Sequence, residues 1–309
     1  MIRGILYSLA AGMTWGLVFV APQLLPDFSP LALSGARYLI YGAVSALFCV
    51  AHRRRIQALL NRQHLAVLMG QALFANLVYY LLLAYGVQWA GTALTALVIG
   101  LVPLCVTLLG RKDVGAVSLK RLKWPMLLIF CGMILINIDV FGASTTEKVG
   151  HNWQKPLGVL AAVGALACWA AYAVQNARYL QRYPELGSGT WSCLFGLSSG
   201  IWALLLGGIL FVVGDETLFY NRHAANLDWG YFWTISAALA LFSSMIGNHL
   251  WNAASRVLPL TLSGQLIVFE TIFALIYSYS LLQRWPRPME GGAILLLLTG
   301  VLWAIRQHK

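Results

Sequence analysis

Charge is scarce in this chain: Asp, Glu, Lys and Arg together make up 10% of its 309 residues, against about a quarter in an average soluble domain. Hydrophobic residues reach 60% and the mean hydropathy is +0.73, which excludes a soluble protein. Acidic residues are scarcest, 10 against 21 Lys and Arg. The net charge of +11 would suit a polyanion in a soluble protein, but here the basic residues cluster in short segments between apolar runs. Membrane topology therefore accounts for the charge, and no nucleic-acid partner is expected. Walker A, dinucleotide-type GxGxxG, HExxH and N-x-S/T patterns are all missing, so nothing points to nucleotide hydrolysis or zinc chemistry. Cys49, Cys105, Cys131, Cys168 and Cys193 stand singly in or beside apolar runs and read as small hydrophobes rather than metal ligands. No cofactor is expected.

What the chain has instead is a series of apolar runs, at about 4–24, 30–51, 65–88, 92–110, 124–141, 156–179, 189–213, 229–252, 260–282 and 290–306. The expected fold is an all-α polytopic membrane protein of ten transmembrane helices. The first run carries a single Arg3 and no small-residue cleavage site, so it reads as the first span and not as a removed signal. With both termini cytoplasmic, the inner segments hold Arg3, Arg53, Arg54, Arg55, Arg62, Arg111, Lys112, Lys120, Arg121, Lys123, Arg178, Arg182, Arg256, Arg306 and Lys309. The outer side holds only Arg37, Lys148, Lys155, Arg222, Arg284 and Arg287, the asymmetry of a positive-inside protein.

Shifting the chain by 154 residues sets Gly4 on Gly158 and Trp15 on Trp169; a shift of 168 sets Tyr80 on Asn248, Thr95 on Ser263, Pro103 on Thr271 and Gly132 on Gly300. Two five-span halves follow, residues 1–150 and 151–309. Because five is odd, the second half lies upside down relative to the first. Inverted repeats are the usual architecture of carriers that alternate access around a midplane site.

Polar groups at membrane depth need protein or water around them. Trp15 and Phe19, Asn76 and Tyr80, and Trp169, Tyr172 and Asn176 fall on common helix faces, and Ser244, Asn248, Asn252 and Arg256 follow at steps of four. These stripes read either as a cavity wall or as interhelical hydrogen-bonding glue. Glu270 is the one carboxylate near the middle of a run and is expected to bind or couple; His249 is expected to point away from the amide stripe. Arg37 is expected to snorkel to headgroups or to pair with Asp27 or Asp139. The Gly196 to Gly200 pattern with Gly207 reads as packing within the bundle. Trp124, Trp153, Trp229 and Trp285 suit an interfacial belt, whereas Trp15, Tyr79, Tyr80, Trp169, Tyr172 and Trp251 do not. Aromatics beside amides suit a partly apolar ligand with hydrogen-bonding ends, such as an amino acid.

Trp15-Gly16, Arg37 in SGARYLIYG, the Pro103 run ALVIGLVPLCVTLLG, Trp169 in CWAAYAV and FETIFALI around Glu270 together resemble the drug/metabolite transporter superfamily, in its ten-span group of two EamA-type repeats. CWAAYAVQN and HLWNAAS are most similar to the YddG-type aromatic amino-acid exporters. The resemblance covers essentially the whole chain. It implies a basket in which the first, third, fourth, sixth, eighth and ninth spans enclose a central cavity, and export of amino acids or related metabolites across a bacterial inner membrane. One departure is Thr271, where the family often has proline after the glutamate; the ninth span is expected to be less kinked than the fourth at Pro103. The expected cavity residues are Trp15, Asn76, Tyr80, Trp169, Tyr172, Asn176, Ser244, Asn248, Asn252 and Glu270. A small-molecule substrate and the lipid bilayer are the expected partners, and a monomer suffices, the oligomeric state being open. An exporter of lipophilic or cationic compounds and an intramembrane enzyme are the competing readings; the enzyme lacks gathered catalytic groups, since Glu270 and His249 lie on different spans.

Overall fold

The computed structural model describes residues 1–142, 154–215, 218–220 and 227–308, and every strong element in it is helical. In chain order these are α1 (Ile2–Leu24), α2 (Pro30–Ala51), α3 (Arg53–Leu59), α4 (Arg62–Ala90), α5 (Thr92–Ile99), α6 (Val102–Leu109), α7 (Leu119–Gly142), α8 (Gln154–Arg182), α9 (Ser188–Val213), α10 (Trp229–Ser255), α11 (Leu260–Leu266), α12 (Val268–Leu282) and α13 (Pro288–Gln307). Among the described residues eight helices are long and apolar enough to cross a membrane, α11 and α12 counting as one; Leu94–Leu109 is a shorter apolar stretch. The expected boundary between residues 150 and 151 lies outside the described residues, as do Lys148, Trp153, Arg222 and Lys309.

Several helix starts are encoded locally. Ser29 Oγ accepts the Ala32 N–H at 3.0 Å with Pro30 in the first helical position, Asn61 Oδ1 accepts the His64 N–H at 2.8 Å, and Asp228 Oδ1 accepts the Tyr231 N–H at 2.8 Å. Each bond satisfies an amide that the first turn leaves open. At α13 the Glu290 carboxylate accepts the Arg287 N–H and two guanidinium N–H groups of Arg284, all at 2.7 Å. The helix therefore begins on a bidentate charged pair, the strong form of such contacts.

The helices pair closely: α2 with α9, α7 with α13, α8 with α4, α5 and α6, α6 with α11, and α1 with α10 and α12. Between helices in lipid, van der Waals packing and hydrogen bonds replace the hydrophobic drive, which favours small residues at the seams. The α2–α9 seam shows this. A Cβ on either Gly42 or Gly200 would sit 2.6 Å from the other's Cα, and Gly196 faces the Tyr41 ring. The glycine pattern of α9 is a packing seam inside the bundle; Gly207 meets no neighbouring group.

Four irregularities bear on function. Leu73–Val78 of α4 and Leu239–Gly247 of α10 are wound as π-helix, a form frequent at functional sites. The fourth apolar run breaks at Gly100 and Leu101, ahead of Pro103 in the first turn of α6. The ninth run is interrupted only at Ile267, where the Ile267 and Glu270 N–H groups bond three residues back at 3.4 and 3.0 Å. Without a proline, the tightened turn stays local and sits immediately before Glu270.

Aromatic clusters stand at opposite ends of the bundle. Phe28 stacks on Phe232 at 4.4 Å and meets Trp229 edge-on at 5.1 Å, near the start of α2. Beyond the other end of α2, His64 Nδ1 shares a hydrogen bond with the Tyr179 hydroxyl at 2.5 Å, and Tyr179 stacks on Trp191 at 5.1 Å.

Candidate functional site

The π-wound segment of α10 and the start of α12 meet on α1. Trp15 Nε1 donates to the Ser243 carbonyl at 3.1 Å, Ser243 Oγ donates to the Thr14 carbonyl at 2.6 Å, and a Cβ on Gly12 would lie 2.9 Å from the Glu270 nitrogen. This close approach packs the backbone at Glu270 against Gly12 and that at Gly247 against Trp15. The Trp15 ring meets Trp251 at 5.4 Å and Trp169 at 6.3 Å, and Trp169 meets Tyr172 at 6.3 Å, edge to face. The result is a continuous aromatic wall from α1 through α8 to α10.

Glu270 is half-buried at the start of α12, its backbone packed against Gly12 of α1. Its carboxyl makes no hydrogen bond among the described residues. The Arg37 guanidinium lies over the Tyr38 ring, 5.1 Å from its centroid. Side chains from α1, α2, α8 and α10 thus converge on one region.

The sequence expectation for Arg37 is corrected by its contacts. Instead of extending to headgroups or to Asp27, Arg37 turns inward and donates from Nε to Ser244 Oγ at 2.6 Å; the Asp139 side chain lies outside the described ones. Four residues on, Asn248 Nδ2 donates to the Tyr41 hydroxyl at 3.3 Å, and Asn248 Oδ1 accepts from the Tyr172 hydroxyl at 3.3 Å. Arg37 and Tyr41 are themselves four residues apart, so two helical stripes face each other rung by rung. Arg37, Tyr38 and Tyr41 were missed as site residues, although their spacing on α2 matches that of Ser244 and Asn248.

The rest of the expected set divides. Asn176 and Asn252 are both 0% exposed: Asn176 Nδ2 donates to Asn252 Oδ1 at 2.7 Å, Asn252 Nδ2 to Ser192 Oγ at 2.7 Å, and Trp191 Nε1 to Asn176 Oδ1 at 2.8 Å. This closed network ties α8, α9 and α10 together. Arg256, at the end of the stripe, is half-buried and donates to the Pro184 carbonyl at 2.6 Å. Asn76 and Tyr80 share a face, but it borders a small recess between α2, α4 and α9, with room for about one water, where Asn76 Nδ2 donates to Ser199 Oγ at 2.7 Å. His249 is exposed on the far side of α10, beside Gly189. No cluster of three or more potential metal-ligating side chains occurs among the described residues.

A family model described as the EamA-like transporter family matches residues 2–138 and 156–306. The inner membrane protein YtfF of Escherichia coli (strain K12) is 31% identical over 99% of this chain and 96% of its own length. The uncharacterized transporter YetK of Bacillus subtilis (strain 168) is 25% identical over 99% of this chain and 88% of its own. A solved crystal structure of a protein 18% identical superposes with a TM-score of 0.74 over 97% of this chain and 96% of its own, a likeness of fold. This multi-pass membrane protein belongs to the EamA-like transporter family.

Proposed function

We propose that the protein is a secondary transporter or facilitator that exports neutral amino acids, chiefly aromatic ones, and related small metabolites across the bacterial inner membrane. The aromatic wall of Trp15, Trp169 and Tyr172 beside the polar stripe of Ser244 and Asn248 carries this reading, as one side of a substrate cleft with Glu270 at the head of the neighbouring α12. A carboxylate receives an ammonium group, and aromatic faces receive an apolar side chain. Ser244 and Asn248 belong to the polar rim of this cleft. Asn176 and Asn252 form its closed floor, and Asn76 and Tyr80 line a small recess of their own on the α4 side. The alternative, an exporter of lipophilic cations, is disfavoured by the inward-facing Arg37.

The same reading gives the chain ten spans in two inverted five-helix repeats, with both termini cytoplasmic. Its fourth span is α5 with α6 and its fifth is α7. Support comes from irregularities that recur under the 168-residue offset: Leu73–Val78 falls on 241–246, inside Leu239–Gly247, and the end of α5 at Ile99 falls on Ile267. The helix pairings recur as well. α2 against α9 and α7 against α13 are self-related pairs, while α1 against α10 corresponds to α8 against α4. The two end clusters then act as gates, each built from the start of one span, the end of a second and the start of a third.

Efflux tests the function. Cells expressing the protein and loaded internally with amino acids through peptide uptake should release phenylalanine, tyrosine or tryptophan faster than cells lacking it. Equal release of every neutral amino acid tested contradicts the proposal.

A further inference from the structure

His308, just past α13, is tied at both ring nitrogens. Nδ1 lies 2.8 Å from the Ala304 carbonyl and Nε2 lies 2.9 Å from Thr261 Oγ1. A carbonyl oxygen only accepts, so Nδ1 carries the proton and the neutral ring offers a bare Nε2 to the Thr261 hydroxyl. Thr261 Oγ1 in turn accepts the Val117 N–H at 3.4 Å. Thr261 is 0% exposed, in the first turn of α11, and its hydroxyl proton has no other acceptor among the described residues. The segment ahead of α7 is seated on the same turn: a Cβ on Gly110 would press on the Leu260 side chain, and one on Gly115 would lie 3.2 Å from Pro259. Three parts of the chain that are far apart in sequence therefore meet at one imidazole.

Protonation undoes this arrangement. A ring with two N–H groups has no lone pair for the Thr261 hydroxyl, and two donors then point at each other in a buried place. The surroundings supply no compensating charge. α11 carries no titratable group, and α12 has only Glu270, nine residues beyond Thr261. α13 brings Arg306 to this end, and the first turns of α7 bring Lys120, Arg121 and Lys123. The segment ahead of α7 adds Arg111, Lys112 and Asp113, but Asp113 is already paired with Arg178 at 3.0 Å. Burial holds the His308 imidazole below its ordinary 6.5, with the bond to the Ala304 carbonyl pulling the other way. We propose that His308 and Thr261 form a pH-sensitive clip, which fastens the start of α11 to the end of α13 and to the segment before α7 while the imidazole is neutral and releases it on protonation. The clip contributes fully above pH 6.5 and is lost as the pH falls through the lowered value. Once released, α11 is held by packing alone, chiefly on α6. In the proposed orientation this end faces the cytoplasm, so the clip responds to internal acid.

Two measurements on the full chain in lipid nanodiscs test the clip without any substrate, so their failure leaves the transport reading standing. In nitrogen NMR of labelled histidine at about pH 7.5, the signals that vanish in His308→Gln should have the shifts of an Nδ1-protonated neutral ring. An Nε2-protonated ring there overturns the proposal. Hydrogen exchange read by mass spectrometry, corrected for its intrinsic pH dependence, should be about threefold or more faster at about pH 5 than at about pH 7.5 in wild-type peptides covering 114–120 and 258–266, as expected for loss of one hydrogen bond. Thr261→Val keeps the outline of the side chain and removes the hydroxyl, so those peptides should exchange fast at both pH values. His308→Gln keeps an acceptor that cannot titrate and should leave them slow at both. The tautomer and the wild-type step carry the test if Thr261→Val does not fold. Wild-type exchange that is the same at both pH values, or a step that survives either substitution, overturns the clip.

Discussion

Replacing Asn252 by leucine separates a floor residue from a substrate contact. Leucine repeats the branching of asparagine atom for atom with bulkier methyl ends, so the fully buried site keeps its outline while two hydrogen bonds of 2.7 Å are lost, one to Ser192 Oγ and one from Asn176 Nδ2. Interhelical hydrogen bonds in membrane proteins average about 0.6 kcal/mol and reach about 1.7. The Asn176 amide is also left with a buried donor and no acceptor, a cost of about 1–3 kcal/mol. The expected destabilisation is therefore about 2–4 kcal/mol, read from reversible unfolding in mixed micelles. Transport per folded molecule should stay within about twofold of wild type. The double change Asn176→Leu, Asn252→Leu removes both partners and should cost less than the two singles added, leaving the Trp191 N–H as the remaining unmatched donor. An Asn252→Leu protein as stable as wild type, or one that is stable but transports tenfold less, would refute the assignment of this residue to the floor.

Other consequences are sharper in direction than in size. Trp169→Ala should remove about 1–3 kcal/mol of ligand contact and lower transport more than folded yield; unchanged transport of the amino-acid panel returns the tryptophan to packing alone. Gly42→Val should force α2 from α9 and destabilise the fold by about 1–3 kcal/mol or more, because the first atom it meets is backbone; a wild-type melting temperature would deny that seam. A cysteine at Asn226 should react with an impermeant thiol reagent in intact cells, and one at Lys120 only after the membrane is opened. Labelling of Lys120 from outside contradicts the orientation and the inverted repeat.

The helix positions were legible because a hydrocarbon layer imposes apolar runs of about 20 residues, a signal that survives any detail of packing. The ends were less so: α4 and α8 continue into the polar residues at Arg62 and Arg182, since a helix does not stop where its hydrophobicity does. The break at Gly100 was prefigured by Pro103, but the π-wound stretches were not, because nothing in LFANLV or LALFSSMIG breaks a helix on its own. Tertiary contacts impose that winding. Arg37 was misread for a similar reason. Sequence position favoured the nearer membrane face, whereas Ser244, 207 residues away, supplies the partner that turns it inward. Among the amides, the periodicity placed Ser244, Asn248 and Asn252 on one face correctly. Only the fold separates Ser244 and Asn248, which meet Arg37 and Tyr41 of α2, from Asn252, which neighbouring helices close over.

The most direct test is counterflow in proteoliposomes, with labelled phenylalanine outside and unlabelled phenylalanine within, for wild type and Glu270→Gln. Wild type should accumulate label transiently in response to the internal pool. The glutamine protein, with an unchanged melting temperature, should need at least about tenfold more substrate for the same exchange, the loss expected for one charge-assisted bond. Absence of counterflow by wild type for every amino acid tried, or exchange by a well-folded Glu270→Gln protein at wild-type affinity, would contradict a central amino-acid site built around this carboxylate.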